Sequence, residues 1–234
     1  MESTELVVYD EPSNCSYLPD RTARLPHRLP SKRLTPAEFD DRLAAGDRRS
    51  GVFLYRTACA ECSACEPIRL DMTRFQPNAT QRRIQRRGNA LLEVRIAAPA
   101  IDQARVELFN MHRTLRGLDH RDRPITADSY DQFLTDSCCE TREIGYFLEG
   151  HLVAIAITDV GQTSLSAVYT FFNPQFQFLS LGVYSVLWQA DLCRRTQRRF
   201  LYLGFYIAES PHMSYKSRFH PHQRRVGGAW RDYE

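Results

Sequence analysis

The stretch REIGYFLEGHLVAIAITDVGQTSLSAVYTFF, residues 142–172, decides the fold because it holds three strand-like runs in succession. The runs are rich in β-branched and aromatic residues, which favour a pleated, half-buried surface. The predicted strands are residues 142–149, 152–159 and 164–172. The breaks at Glu149-Gly150 and Gly161-Gln162 have the character of hairpin turns.

Helical and strand-like segments flank this stretch on both sides. Ala104, Leu108, Met111 and Leu115 recur at helical spacing and predict a helix over 101–118. The other predicted elements are a helix at 130–134, a long helix at 181–195, a strand at 200–205, a helix at 213–219 and a last strand at 222–226. The order α-α-β-β-β-α-β-α-β resembles the GCN5-related N-acetyltransferase (GNAT) fold, whose splayed sheet opens a cleft for an acyl donor and an amine.

The first 96 residues have a different character. Thr35-Pro36-Ala37-Glu38 has the capping-box pattern of a helix start, and Gly46 ends that helix. Further predicted elements are a strand at 51–56, a strand at 68–70 and a helix at 78–87. A composition shift at Ala97-Ala98-Pro99-Ala100 predicts two regions, 1–96 and 97–234. The predicted fold class is α+β, with a Cys-containing N-terminal region packed on a GNAT-like mixed α/β C-terminal domain.

Composition predicts an ordinary folded protein of the cytoplasm. The chain has 234 residues and is 43% hydrophobic, enough for a substantial core. Acidic residues interrupt the first 11 positions, which predicts no signal peptide, and the longest apolar run, residues 152–158, is too short to cross a bilayer. Only Lys32 and Lys216 of the 31 basic residues are lysines. Arginine suits phosphate and carboxylate, although GC-rich coding gives the same bias.

The sharpest local signal is a group of cysteines. Cys59, Cys62 and Cys65 are three thiols at CxxC intervals, and Cys15 upstream could be a fourth ligand. Such a set can hold Zn or an iron–sulfur cluster, or it can be a turn of reduced cysteines that pack as small hydrophobes. The remaining thiols, Cys138, Cys139 and Cys193, are interpreted as structural.

Several sequence blocks are distinctive together and run in order over almost the whole chain. They are Cys15-Ser16-Tyr17-Leu18-Pro19-Asp20-Arg21, Tyr55-Arg56, Pro67-Ile68-Arg69, Gln81-Arg82-Arg83, Leu181-Gly182-Val183-Tyr184 with Trp188, Tyr202 to Ile207, and Met213 to Pro221. This set resembles the arginyl-tRNA–protein transferase family, and in particular its bacterial leucyltransferase branch. The eukaryotic members carry a Cys-x-x-Cys near the N-terminus, associated with an iron–sulfur cluster, whereas here Leu18 stands three residues after Cys15.

The resemblance implies a reaction and its partners. It implies transfer of leucine from Leu-tRNA to the N-terminal α-amine of proteins that begin with Asp or Glu, in the N-end rule pathway of protein degradation. No cofactor is required for this transfer, and neither DNA nor a membrane is an expected partner. Because the donor is an activated ester and the α-amine is partly neutral near pH 7, alignment of the two substrates and stabilisation of the oxyanion are the main tasks.

Candidate site residues follow from these tasks. The catalytic candidates are Tyr184, Tyr206, Tyr215 and Lys216. An acidic acceptor residue needs a cation for its carboxylate, and the candidates are Arg56, Arg69, Lys216 and Arg218. A tRNA needs phosphate contacts, and the helix at 78–87 brings together Arg82, Arg83, Arg86 and Arg87. Each of these residues has an ordinary alternative role, in the core or on a solvated surface.

Two other functions are compatible with the same sequence. A CoA-dependent N-acetyltransferase would use the turn before the helix at 181–195 to hold pyrophosphate, but Ser180 stands where such enzymes prefer the first glycine. A non-enzymatic metal- or RNA-binding module could be built on the cysteines and the arginine-rich helix. The long, regular second half of the chain is more than such a module needs.

Overall fold

The computed structural model of the protein describes residues 4–117 and 123–234. The strands are β1 Glu5–Tyr9, β2 Ser13–Asn14, β3 Thr22–Ala23, β4 His27–Pro30, β5 Arg48–Ser50, β6 Phe53–Tyr55, β7 Glu66–Asp71, β8 Leu92–Ala97, β9 Thr141–Leu148, β10 His151–Val160, β11 Ser164–Phe172, β12 Phe200–Tyr206, β13 His222–Val226 and β14 Ala229–Tyr233. The helices are α1 Pro36–Ala44, α2 Ala79–Leu91, α3 Gln103–Leu115, α4 Ala127–Tyr130, α5 Leu181–Arg195 and α6 Pro211–Ser214. Shorter turns are the 3₁₀ segments Pro174–Leu179 and Tyr215–Arg218 and the π-helical turn Asp131–Thr135.

An eight-stranded sheet in the order β14-β13-β7-β12-β11-β10-β9-β8 forms the centre of the protein. Its pairs are antiparallel except β11 with β12, which are parallel because α5 connects them. At the β9–β10 turn, Glu149 and Gly150 have φ of 50° and 82°, the positive values that a two-residue hairpin turn requires. The three predicted strands and the α+β fold class with a GNAT-like C-terminal part are confirmed.

Helix starts follow the local sequence closely. At α1, Thr35 accepts a hydrogen bond from the backbone N–H of Glu38, whose carboxylate accepts one from the N–H of Thr35. At α2, Asn78 and Gln81 form the same reciprocal pair. These capping boxes satisfy N–H groups that the first helical turn leaves without partners. The predicted helices at 35–46 and 78–87 are therefore confirmed, and α2 runs on to Leu91.

Other elements differ from the sequence prediction. The strand at 222–226 is not the last one, because β14 returns antiparallel to it. The strand β8 lies at the end of the large sheet and was predicted by no pattern. The helix expected at 130–134 is the last residue of α4 followed by a π-helical turn. The helix at 101–118 is confirmed as α3, and its predicted last residue, Leu118, lies outside the described residues.

Strands from both predicted regions share the large sheet. β7 pairs with β12 and with β13, and β8 pairs with β9. The helix α2 packs on α5 so closely that a Cβ on Gly88 would lie 2.2 Å from the ring of Tyr184. A smaller sheet, β1-β4-β6-β5, is made from N-terminal residues alone. The division at residues 96 and 97 stays a prediction.

The two parallel strands β11 and β12 stop pairing part of the way along. Paired residues end at Ser166 and Tyr202, although both strands continue. Just beyond this point β12 carries Gly204 with φ of 85°, a conformation that favours glycine, and its register with β7 shifts. The end of pairing leaves a place in the sheet where side chains from other elements can enter. No helix in the described parts of the chain is both long and apolar enough to cross a membrane.

Candidate active site

Two buried cations lie where β11 and β12 stop pairing. Arg48, in β5, is 7% exposed and donates hydrogen bonds to the Ser166 hydroxyl and to the carbonyl of Ala167, each at 3.2 Å. Lys216, in the 3₁₀ turn after α6, is 8% exposed, and its Nζ donates to the carbonyl of Phe205 at 2.7 Å. All three acceptors are neutral groups. Among the described residues, neither cation forms an ion pair with a carboxylate.

Gly204 brings the two cations to one point. A Cβ on this residue would lie 3.2 Å from Arg48 Nη2 and 3.5 Å from Lys216 Nζ. Its positive φ is a conformation that residues with a side chain rarely adopt. The absence of a side chain at Gly204 therefore lets a guanidinium and an ammonium group approach the same point on β12.

Tyrosines, a thiol and the buried ion pair of Arg49 with Asp159 surround these two cations. Burial raises the pKa of Tyr17 and of Tyr55 above the ordinary tyrosine value. Burial, together with the neighbouring thiols, raises the pKa of Cys65 to about 12. The pKa of Lys216 is lowered to about 7, first by burial and then by Arg48. An uncompensated positive charge is therefore built into the site, because arginine stays protonated in proteins.

The four cysteines of the predicted cluster line one cavity of about 80 Å³. Cys15, Cys59, Cys62 and Cys65 share it with apolar neighbours that include Tyr17, Leu18, Tyr55 and Phe205. The structure thus brings together the four cysteines that the sequence grouped. Within the described residues, no set of three or more His, Cys, Asp or Glu side chains is arranged to hold a metal ion. Binding of Zn or an iron–sulfur cluster stays a prediction.

Hydrogen bonds hold two of these thiols. Arg21 donates to the Cys62 sulfur at 3.3 Å, and the backbone N–H of Arg24 donates to the Cys59 sulfur at 3.4 Å. The backbone N–H of Ala64, followed by Arg21, lowers the pKa of Cys62 below the ordinary thiol value. The remaining three cysteines, Cys138, Cys139 and Cys193, are buried, as expected for structural thiols.

The three predicted catalytic tyrosines lie in different surroundings. Tyr184 is buried in α5, where its hydroxyl donates to Asn89 of α2 at 2.9 Å. Tyr206 ends β12, and the guanidinium of Arg224 stacks on its ring at 4.6 Å. Tyr215 directly precedes Lys216 and packs on the core beneath the sheet. Tyr206 and Tyr215 are thus near Lys216 along the chain, whereas Tyr184 is engaged with α2.

The other predicted carboxylate-binding cations are not part of the buried pair. Arg56 donates to the Asp47 carboxylate at 2.9 Å. Arg69 is stacked between Phe200 and Trp230, with its guanidinium carbon 3.9 and 4.0 Å from the two ring centres. The side chain of Arg218 is exposed. Of the four candidates, only Lys216 faces Gly204.

The predicted tRNA-binding arginines share the solvent-exposed face of α2. Arg82 and Arg87 donate to the backbone carbonyls of Pro77 and Phe178, at 2.5 and 2.6 Å. Arg83 and Arg86 are exposed and, within the part of the chain that the structure describes, make no ion pair. The face therefore offers guanidinium groups that no carboxylate neutralises.

The turn before α5 has a packing role. Ser180 has φ of 51°, in the left-handed region, and is the cap of the helix. A Cβ on Gly182 would lie 3.3 Å from the ring of Phe172. The first turn of α5, where an acetyltransferase would hold pyrophosphate, is packed against this aromatic ring.

Sequence reasoning missed Arg48. It lies in Gly46-Asp47-Arg48-Arg49-Ser50-Gly51, where two adjacent arginines between glycines have the pattern of a solvated turn. The structure instead buries both in a three-residue strand. A strand this short has no periodicity from which burial could be predicted.

Comparison with known proteins finds matches over nearly the whole chain. Residues 13–83 match the family model described as arginine-tRNA-protein transferase, N terminus, and residues 104–226 match the one described as its C terminus. The chain is 38% identical over 227 residues to the aspartate/glutamate leucyltransferase of Halorhodospira halophila, covering 94% of each. It is 35% identical to the protein of that name from Marinobacter nauticus, covering 94% of this chain and 93% of the relative.

A third relative and one solved structure complete the comparison. The aspartate/glutamate leucyltransferase of Thiobacillus denitrificans is 38% identical over 224 residues, covering 94% of this chain and 92% of its own. The C-terminal domain of a putative lysylphosphatidylglycerol synthetase from Agrobacterium fabrum is 15% identical, with a TM-score of 0.48 over 72% of this chain and 58% of that one.

Proposed function

This chain belongs to the arginine-tRNA-protein transferase family, and we propose that it transfers leucine from Leu-tRNA to the N-terminal α-amine of proteins that begin with Asp or Glu. The observation that carries the proposal is the end-to-end likeness to relatives named aspartate/glutamate leucyltransferase. The buried cations beside Gly204 support it, because selection of an acidic residue requires positive charge in the acceptor site.

The reaction needs two substrates held in line. The neutral α-amine of the acceptor attacks the carbonyl carbon of the leucyl ester, and a C–N bond forms as the ester C–O bond breaks. The 3′ oxygen of the tRNA leaves with the electron pair of that bond, and the amine proton passes to it directly or through solvent. No redox step occurs, so the transfer itself requires no cofactor. Alignment of the reactants supplies a large share of the rate.

Two surfaces of the protein support separate proposed sites for the two substrates. The gap where β11 and β12 stop pairing, with Lys216 and Arg48 at its border, suits the acceptor N-terminus. The exposed arginines of α2 suit the tRNA backbone, whose phosphates attract guanidinium groups without regard to base sequence. Tyr206 and Tyr215 remain the tyrosine candidates for a hydrogen bond to the reacting carbonyl, because they flank Lys216 and the end of β12.

The cellular role that we propose follows from the reaction product, a protein with a new N-terminal leucine. A new N-terminal leucine is a larger apolar end group than the acid it covers, and in the N-end rule pathway such an end marks a protein for degradation. Among partners we therefore propose Leu-tRNA and acidic N-termini in the cytoplasm. A Zn ion or iron–sulfur cluster at Cys15, Cys59, Cys62 and Cys65 is proposed only as a structural element, since no step of the transfer uses it.

The test uses purified protein, labelled Leu-tRNA and matched peptides that begin with Asp, Glu, Lys or Ala. We expect label on the Asp and Glu peptides only. A parallel reaction with labelled Arg-tRNA checks the donor, and we expect no transfer there. If no peptide is labelled while acetyl-CoA supports acylation of the same amines, the proposal is wrong and the protein is an acetyltransferase.

A further inference from the structure

We propose that Arg48 and Lys216, whose charged groups converge beside Gly204, together bind the side-chain carboxylate of the acceptor's N-terminal Asp or Glu. The inference rests on the proposed function and names the residues that would give it acidic selectivity. No sequence motif marked Arg48. Lys216 was one of four cations that the sequence motifs suggested for carboxylate binding, and it is the one that we retain.

The first step is that neither Arg48 nor Lys216 forms an ion pair in the described chain, although the charge of Asp159 acts on Arg48 from beyond ion-pair distance. Burial of a cation without a partner costs several kcal/mol, roughly, so proteins that bury one nearly always pair it. Two buried carboxylates next to Arg48 along the chain or across the sheet already have partners: Asp159 accepts from Arg49 at 2.7 Å, and Asp47 accepts from Arg28 and Arg56. Within the described chain, Arg48 and Lys216 are left with neutral oxygens and one thioether.

The second step is that the two heads converge. Both nitrogen atoms lie within 3.5 Å of the position that a Cβ on Gly204 would occupy, and the three atoms nearest to that position, chain neighbours aside, all belong to the two cations. Burial, followed by repulsion from Arg48, lowers the pKa of the Lys216 ammonium group. A carboxylate between them would remove this repulsion and accept hydrogen bonds from both.

The third step is the position of the pair in the fold. Arg48 holds the carbonyl of Ala167, the first residue of β11 beyond the paired stretch, and Lys216 holds the carbonyl of Phe205 in β12. The pair thus spans the two strands where they stop pairing, beside the free ends of their backbone ladder. An extended acceptor segment could reach the cations there and keep its α-amine a few bonds away from the bound carboxylate.

The selectivity that follows is for charge rather than shape. Gln and Asn match Glu and Asp in size, but a neutral amide leaves two buried cations without a counter-ion and places an N–H₂ group against them. Rejection of an analogue that leaves buried polar groups unpaired reaches roughly 100-fold or more. The proposed site should therefore separate Glu from Gln by about that factor.

The test compares two peptides that differ only in a first residue of Glu or Gln. Leucine transfer is measured as kcat/KM for the wild type and for Arg48→Met and Lys216→Met, which keep an unbranched apolar stem. The matched control is Arg142→Met, because Arg142 is an exposed cation on β9 whose partner is Glu140 at 2.8 Å. We expect each site variant to lose about 100-fold with the Glu peptide and less than about threefold with the Gln peptide. The control should match the wild type.

Other outcomes separate this inference from the proposed function. If the wild type transfers leucine to neither peptide, the proposed function fails. If the wild type prefers Glu and the variants keep that preference, the function stands and this inference is wrong. Equal losses with both peptides would also overturn it, because they would show that the cations only hold the strand carbonyls in place.

A further variant guards against misfolding. Lys216→Gln keeps an N–H donor for the carbonyl of Phe205 while removing the charge. Its binding of Leu-tRNA, measured on filters, should equal that of the wild type, and its preference for Glu over Gln should fall by about 100-fold. A Lys216→Gln enzyme that retains the wild-type preference would overturn the proposal.

Discussion

Arg48 and Arg49 are neighbours in β5, yet the protein treats their charges in opposite ways. Arg49 donates to Asp159 at 2.7 Å, and both side chains are 0% exposed. It also donates to the carbonyls of Gly51 and Asp136. Arg48, one residue earlier and also buried, has a hydroxyl and a carbonyl as its hydrogen-bond partners in the described part of the chain. One guanidinium is neutralised within the fold, and the other is left for an anion from outside.

The difference teaches how to tell a structural cation from a binding one. Strand geometry sends adjacent side chains to opposite faces, so Arg49 meets β10 and Arg48 meets the end of the β11–β12 pairing. An ion pair within the fold indicates a role in stability, whereas burial without a paired counter-ion costs stability and is compatible with function. Four predictions follow from this contrast, ordered by the size of the effect.

The largest effect is expected from breaking the neutralised pair. Arg49→Met leaves the Asp159 carboxylate buried with, among the residues that the structure describes, only the Thr141 hydroxyl as a partner. Removal of one member of a buried ion pair typically costs about 3–5 kcal/mol, and we expect a loss of this size in the free energy of unfolding. Urea denaturation followed by tryptophan fluorescence measures it.

The matched comparison is Arg48→Met in the same assay. In the described chain Arg48 is not paired with a carboxylate, so its replacement leaves no buried anion unpaired. The free energy of unfolding should therefore fall by less than about 1 kcal/mol or rise. The surface variant Arg142→Met should lie within about 1 kcal/mol of the wild type. Equal losses for Arg48→Met and Arg49→Met would remove the distinction drawn between them.

The second effect comes from crowding the two cations at Gly204. Gly204→Ala places a methyl group 3.2 Å from Arg48 Nη2 and 3.5 Å from Lys216 Nζ, so it should shift the cations from the positions in which we expect them to bind the acceptor carboxylate. We predict a loss of roughly 10- to 100-fold in kcat/KM with Glu peptides, from a misplaced carboxylate.

Gly228→Ala is the control for backbone strain. Its φ of 83° is close to the 85° of Gly204, but nothing lies within 4 Å of its Cβ position. Both alanine variants should lose about 1–2 kcal/mol of stability, because an L residue is strained in the left-handed region. Only Gly204→Ala should lose transfer. Similar losses of transfer in both would mean that strain, and not crowding of the cations, is responsible.

The elements that were predicted correctly depend on local sequence, whereas the elements that were missed depend on contacts between distant residues. The helix α5 was predicted at residues 181–195, as observed, because its pattern of apolar residues is long and continuous. The capping boxes of α1 and α2 likewise need only neighbours within three residues. The strands β1 to β5 have two to five residues of mixed polarity, and β8 is mostly exposed, so no local pattern marks them.

The candidate site shows this limit at single residues. Lys216 was selected because it is one of two lysines and lies in a distinctive block. Arg48 is one of many arginines, and its burial depends on a chain segment more than 100 residues away, at Ser166 and Ala167. From the sequence, Arg69 was as strong a carboxylate-binding candidate as Lys216. In the structure its guanidinium is stacked between Phe200 and Trp230. Charge type can be predicted from sequence, but burial and pairing depend on the tertiary fold.

The third effect is a pH dependence that Lys216 should bring to acceptor selection. Burial, followed by the charge of Arg48, lowers its pKa to about 7, and Cys65 acts in the opposite direction. The free enzyme therefore loses the ammonium charge as the pH rises above 7. The ratio of kcat/KM for Glu over Gln peptides should be highest near pH 6 and fall by up to about tenfold per pH unit above 7.

The ratio isolates this one titration. Both peptides carry the same α-amine, and the Glu carboxylate is ionised over the whole range. Tyr17, Tyr55 and Cys65 face the pair, and burial raises the pKa of each. Lys216→Arg keeps its charge at all these pH values, and its ratio should be flat. A ratio that falls equally in both enzymes would assign the titration to another group.

The titration of Lys216 should also affect stability, but in the opposite direction: the free energy of unfolding should increase with pH. Between about 7 and the ordinary lysine value of 10.5, the unfolded chain holds a proton that folded Lys216 has released. The free energy of unfolding should therefore rise with pH across this interval, relative to Lys216→Met. Urea denaturation at pH 7 and pH 9 compares the two proteins. A difference that falls with pH would contradict the lowered pKa.

The smallest effect is expected on Leu-tRNA binding, from replacement of the solvent-exposed arginines of α2. Arg83 and Arg86 on α2 are exposed and make no ion pair within the described chain, whereas Arg82 and Arg87 donate to backbone carbonyls. Exposed charges are screened over about 8 Å at physiological salt, so each should contribute only a few-fold to Leu-tRNA binding. Arg83→Gln and Arg86→Gln should each weaken binding by about two- to fivefold near 150 mM salt.

Salt dependence distinguishes a phosphate contact from a merely solvated side chain. Each arginine that neutralises a phosphate releases a counterion, so its loss should reduce the slope of log affinity against log salt by about 0.7 to 0.9. Filter binding of Leu-tRNA from about 50 to about 300 mM salt, a range that includes physiological ionic strength, measures the slope. Arg142→Gln, which removes an exposed arginine on β9, is the control and should leave the slope unchanged. Unchanged slopes for the α2 variants would place the tRNA on another surface while leaving the buried pair of Arg48 and Lys216 untouched, because that pair acts on the acceptor and depends on burial rather than on salt.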